Sequence, residues 1–157
     1  MTDEKKQTYT LRISSANSTQ IIEILYEMLL DYTDDAYKAI EENNMTELDE
    51  SVRKARNCVG ELMESLNFTY EIAGNFLSLY VYVNRELLMA RIQRNKVRLD
   101  NVKKVVIPLR DTYIELAGRD SSEPIMSNTQ RVVAGYTYSK NEINEALESE
   151  NNRGFYV

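Results

Sequence analysis

Glu23, Glu27 and Asp31 recur at four-residue steps, a spacing that sets three carboxylates on one helix face and offers oxygen ligands to a metal ion. Di-iron and di-manganese bundles combine such glutamates with a histidine three residues further on. This chain contains no histidine, so the three acids read as a solvated face. The single cysteine, Cys58, stands one position before the apolar Val59, with no evident base or cation to activate it. It reads as a small buried hydrophobe. The same two counts remove Ser/His/Asp triads, Cys/His dyads, imidazole and thiolate zinc sites, and the histidine of a phosphorelay bundle. The expectation is a non-enzyme without cofactor or metal.

What remains is surface chemistry. Eleven tyrosines stand against three phenylalanines and no tryptophan. A phenol contributes apolar area while its hydroxyl wants a partner or water, which suits binding grooves as well as core edges. Charge is segregated: Asn17 to Glu71 carries a net −9, whereas Arg85 to Arg110 carries a net +6. Mutual attraction between helices is the simplest account. The alternative is that Arg91, Arg94, Lys96, Arg98, Lys103 and Lys104 dock an acidic partner. With an overall charge of −6 and no nucleic-acid motif, nucleic acid is not expected as a partner.

These residues need elements to hold them, and 157 residues suffice for one domain with a substantial core. Before Pro108 the only chain breakers are Gly60 and Gly74. Such a stretch, carrying apolar residues at steps of three and four, predicts four long helices in an all-α, antiparallel up-and-down bundle. The first begins near Asn17 or Ser18, runs through Ile21, Leu25, Met28, Leu29, Tyr32 and Ala36, and ends before Asn43. The second opens on a Thr46/Asp49 capping pair and continues through Leu48, Val52, Ala55, Val59, Leu62 and Leu66. A third follows a break at 67–71, with Ala73, Phe76, Tyr80, Val83, Leu87 and Ala90 inward and Leu77, Leu79 and Leu88 widening its apolar surface. The fourth spans about Val97 to Ala117, turns Val102, Val105, Val106, Leu109, Tyr113 and Leu116 inward, and kinks or splits at Pro108.

Residues 1–117 form the predicted bundle domain, and 118–157 a mostly irregular extension with one short helix at 140–149. No export signal and no run long enough to span a membrane is visible. The lone cysteine agrees with a reducing cytoplasm.

Several runs share order and spacing with one known family. Ile13, Ser14, Ser15, Ala16 and Asn17, followed by Ile21, Leu25 and Tyr26, resemble its opening. Lys54, Ala55, Arg56 and then Gly60, Glu61, Leu62 are similar to its second-helix pattern. Ile72, Ala73, Asn75, Leu77, Leu79, Tyr80, Tyr82, Leu87 and Ala90 match its best-defined segment, and Leu109, Arg110, Asp111 and Tyr113 its ending, with tyrosine replacing tryptophan. From Ile13 to about Ala117 the sequence resembles the FliS family of flagellin export chaperones. Ser18 replaces the family's proline, and Tyr9 stands one residue closer to Ile13 than the family's N-terminal tyrosine.

The resemblance implies a cytoplasmic chaperone whose surface grooves receive the C-terminal segment of flagellin as amphipathic helices and prevent premature polymerisation before type III flagellar secretion. It also implies the flagellar export gate as a further contact, and a homodimer fits the regular seams. Ile13, Ile21, Leu25, Tyr26, Leu79, Tyr80, Tyr82 and Tyr113 are the expected partner-binding residues. Leu25 and Tyr80 lie on seams that any bundle buries, whereas Tyr26 and Tyr82 lie beside them and are expected at an exposed groove edge. An adaptor bundle acting through self-association or another helical partner is the alternative. A further expectation is that Val132 to Tyr138 occupies the empty groove until flagellin displaces it.

Overall fold

Asn17 closes a capping box: its side chain accepts from the Gln20 N–H, and the Gln20 side chain accepts from the Asn17 N–H, each at 2.9 Å. A long amphipathic helix, Ser18–Glu41, follows. In the computed structural model, which describes residues 1–126, it is the second of five helices in the order α1 (Asp3–Ser14), α2 (Ser18–Glu41), α3 (Met45–Glu64), α4 (Ile72–Gln93) and α5 (Lys96–Arg119). No strand occurs among the described residues. The expected helix at 140–149 and the Val132 to Tyr138 stretch lie outside them.

Five helices replace the four expected, and the addition is α1. Thr2 caps it, Asp3 and Glu4 occupy its first turn and Arg12 its last, each charge matched to the helix dipole. Its sequence is too polar to advertise a buried face, yet Tyr9 packs with Ala16 and Ile24 in a small apolar cluster of its own.

The start of α3 also differs from expectation. Asn44, not Thr46, is the cap: its side-chain oxygen accepts from the Glu47 N–H at 3.1 Å, leaving Thr46 inside the first turn. Asn43 and Arg94 take left-handed backbone conformations (φ 57° and 51°) where the chain reverses after α2 and α4. Asn44→Ala removes the cap while leaving the core intact. It should lower unfolding free energy by about 1 kcal/mol in a urea titration without changing the slope.

Pro108 lies inside an unbroken α5, so the helix does not split. Both Pro108 and Lys104 are exposed, so the carbonyl that loses its helical donor reaches water, and the ring sits on the solvent side. The Thr112 hydroxyl donates to the Pro108 carbonyl at 2.9 Å.

α2 packs against α3 and α5, and α4 completes the ring against the same two helices. The core takes Leu29, Ala36, Val52, Val59, Leu62, Val83, Leu87, Leu99, Val102 and Val106. Ala36, Ala55 and Ala90 let the backbones approach within it. Cross-helix ion pairs join Lys96 to Glu41 (2.9 Å), Lys103 to Asp34 (2.5 Å) and Arg91 to Asp49 (2.5 Å). Mutual attraction therefore accounts for much of the segregated charge; these basic residues already hold carboxylates of this chain.

Candidate partner-binding site

Tyr26 on α2 and Tyr80 on α4 meet hydroxyl to hydroxyl at 2.5 Å across the bundle interior. Tyr113 of α5 stacks obliquely on Tyr26 with ring centroids 5.5 Å apart, and Phe76 lies 6.1 Å from Tyr80. The cluster joins three helices by aromatic packing and gives both buried hydroxyls a partner. Tyr26 is 0 % exposed, which overturns its expected place at a groove edge. α2 is covered by α1 on one side and by α3 and α5 on others, so its buried arc extends past the Leu25 seam to include Tyr26, Leu30 and Thr33. Tyr80 is buried too, whereas Tyr82 and Tyr113 are part-exposed, and the Arg85 guanidinium lies 5.4 Å from the Tyr82 ring centre.

Burial holds the Tyr80 phenol protonated, pushing its pKa up to about 12, and pushes Tyr26 higher still, reinforced by its hydrogen bond to Tyr80. The sign for stability follows from linkage. The unfolded chain releases these protons from about pH 10, while the folded chain still keeps them, so the contribution is complete below about pH 10 and is lost as pH climbs towards the folded values. Urea unfolding should give a midpoint that is level to about pH 9 and falls steadily above about pH 10, more shallowly in Tyr26→Phe.

α4 and α5, which pack against each other, both leave apolar side chains exposed. Glu86 of α4 ties the two helices together: its carboxylate accepts from Arg98 at 3.0 Å and from Asn101 at 2.9 Å on α5. Leu79 and Ile72 stand two and four turns earlier on the same α4 face. Val105, Leu109 and Leu116 continue the α5 face that carries Arg98 and Asn101. Ile72 is 59 % exposed, Leu79 37 % and Leu116 45 %, with Val105, Leu109 and Tyr82 half-buried between. Leu116 thus leaves the inward row expected of it. A groove of about 940 Å³ runs along α3, lined by Met45, Asp49, Arg56, Gly60 and Met63 with Asn84 and Arg91 of α4.

Of the other expected residues, Ile13 and Ile21 flank the apolar cluster between α1 and α2, and Leu25 packs part-exposed against the main core. They do not meet the α4 residues in one site; Leu79, Tyr82 and Tyr113 belong to the α4–α5 side. The carboxylates read as a solvated face are engaged instead: Arg12 of α1 bonds Glu23 and Glu27, while Lys5 and the Tyr9 hydroxyl each reach Asp31 at 2.6 Å. Burial and the neighbouring Glu27 charge raise the Glu23 pKa above the usual carboxylate range, against the pull of Arg12. Cys58 is buried, and its thiol is pushed up to about 12 by desolvation, far from thiolate reactivity.

An aromatic-pinned core, apolar side chains exposed on α4 and α5 and a groove along α3, with no helix among the described residues long and apolar enough to cross a membrane, define the class as a helical protein with apolar surface. Within that class, the chain belongs to the FliS family: the family described as flagellar protein FliS matches residues 1–120. A curated relative, the flagellar secretion chaperone FliS of Bacillus subtilis (strain 168), is 29 % identical over 101 residues, covering 64 % of this chain and 76 % of that protein.

Proposed function

We propose that this protein is a cytoplasmic, non-enzymatic flagellar export chaperone that receives the C-terminal segment of flagellin as an amphipathic helix and keeps it from polymerising before type III secretion. The observation that carries this reading is the exposure of Ile72, Leu79 and Leu116 on α4 and α5, with Leu109 half-buried; in this reading they line one groove between the two helices. A helix with leucine-like residues at i, i+3, i+4 and i+7 would fill it, burying the faces flagellin otherwise uses for assembly. In this reading α2 to α5 act as an up-and-down bundle and α1 lies on its flank. Tyr82 and Tyr113 form groove edges, Tyr26 and Tyr80 stiffen the floor, and Ile13, Ile21 and Leu25 offer a second contact beside α1. The name of the Bacillus relative supports the secretion role. The export gate is kept as a later contact.

Titrating the full chain with a peptide of the host flagellin's C-terminal segment, followed by calorimetry and far-ultraviolet circular dichroism, tests the proposal. Saturable binding with more helix than the separate components sum to is expected. No binding and no gain in helix would sink it. Concentration-dependent self-association without peptide binding would favour the adaptor alternative.

A further inference from the structure

The six residues after α5 do not leave the body directly. Asp120 to Ile125 cross the α1–α2 connection and hydrogen-bond to it at successive points. The Asn17 side-chain amide donates to the carbonyls of Asp120 and Ser122, both at 3.3 Å. The Thr19 hydroxyl donates to the Asp120 carboxylate at 2.5 Å, and that same carboxylate accepts from the Ser122 N–H at 2.9 Å. The Ile125 N–H donates to the Ala16 carbonyl at 3.1 Å. Asn17 and Ala16 are buried, so neither loses these partners to water freely.

Ser15, Ala16 and Asn17 are also the pivot about which α1 would swing. α1 is held to α2 by Arg12, Lys5 and Tyr9 and by the small cluster around Ile24, a lighter attachment than the packing of the other four helices. We propose that the Asp120–Ile125 strap is a latch on this pivot, so that α1 comes away from α2 only together with release of the strap. Turning the pivot moves the Ala16 carbonyl and the Asn17 amide away from their strap partners. Removing the strap strips the Asn17 amide of both its acceptors. The coupling is therefore reciprocal: loosening either element loosens the other. Its consequence is that access to Ile21, Ile24 and Met28 beneath α1 is governed by the segment that follows α5. It stands apart from the identity of any partner.

Hydrogen exchange by mass spectrometry on the full-length chain tests it. Asp120→Ala with Ile125→Pro removes the carboxylate and one backbone donor from the strap and leaves the Asn17–Gln20 capping box untouched. Amides of α1 should then exchange about tenfold faster, as expected for losing two or more part-buried hydrogen bonds, with those of α3 and α4 unchanged. Arg12→Ala, which frees α1 from Glu23 and Glu27, should in turn speed exchange at Ser122 and Ile125. Unchanged α1 exchange in the strap variant, unchanged strap exchange in Arg12→Ala, or uniform acceleration over all helices would each overturn the latch.

Discussion

Arg98→Met lowers the unfolding free energy by about 3 kcal/mol, because it leaves a buried carboxylate without its counter-charge. Glu86 is 1 % exposed, on the α4 face that packs against α5. Arg98 holds both of its oxygens, at 3.0 and 3.3 Å, and Asn101 holds one. Asn101 alone cannot neutralise the charge, and the loss is trimmed only by the part-exposed position of Arg98 itself. The paired change Glu86→Leu/Arg98→Met behaves differently, since it removes the buried carboxylate together with its counter-charge and substitutes apolar volume; its stability should lie within about 1 kcal/mol of the parent or above it. Urea unfolding of the two single variants and the double variant closes the cycle. Equal destabilisation by Arg98→Met and by the double variant would contradict this account.

The other large effect falls on binding and leaves folding alone. Leu79→Arg puts a guanidinium into the centre of the groove proposed between α4 and α5, and Leu116→Arg puts one at the lower rim proposed for it. An apolar helix seated there must then desolvate an unpaired charge, and affinity for the flagellin segment should drop by 100-fold or more, about 3 kcal/mol, for Leu79→Arg. Both positions are already part-exposed, so thermal unfolding should move by the equivalent of about 0.5 kcal/mol or less. Val97→Arg is the control: this side chain is exposed near the start of α5, away from the groove, and its replacement should leave affinity unchanged. Isothermal calorimetry on the three variants decides the matter. Equal affinities for Leu79→Arg and Val97→Arg would remove the groove from the binding surface while leaving the chaperone role to another face.

The bundle's helices were legible because their signals are local. Steps of three and four over twenty residues, Asn17 as cap and the 67–71 break locate α2, α4 and α5 to within a residue or two. The first helix was not legible, because what holds it is not its own periodicity but carboxylates of α2 that lie 11 to 26 residues away in the chain. Those same acids looked solvated for the same reason. Glu86 stands beside the inward row of Val83, Leu87 and Ala90, where nothing in the spacing marks an acid as buried, and only the arrival of Arg98 and Asn101 from α5 explains its place. For the candidate site, Leu79 announced itself as apolar surplus beyond the buried stripe. Tyr26 misled, since the number of helices surrounding α2 decides how wide its buried arc is, and that number is a tertiary fact. The strap over Asn17 joins residues more than 100 positions apart and leaves no periodic trace.

The aromatic knot of Tyr26, Tyr80 and Tyr113 also determines how this molecule can be watched. With no tryptophan in the chain, its near-ultraviolet signal belongs to tyrosine above all, and a ring contributes strongly there only when held in a fixed, asymmetric setting. Three rings locked at tilts of 46° and 53° about Tyr26 meet that condition, whereas exposed Tyr70 does not. The protein therefore carries its own optical gauge, unlabelled, of whether α2, α4 and α5 are seated against one another.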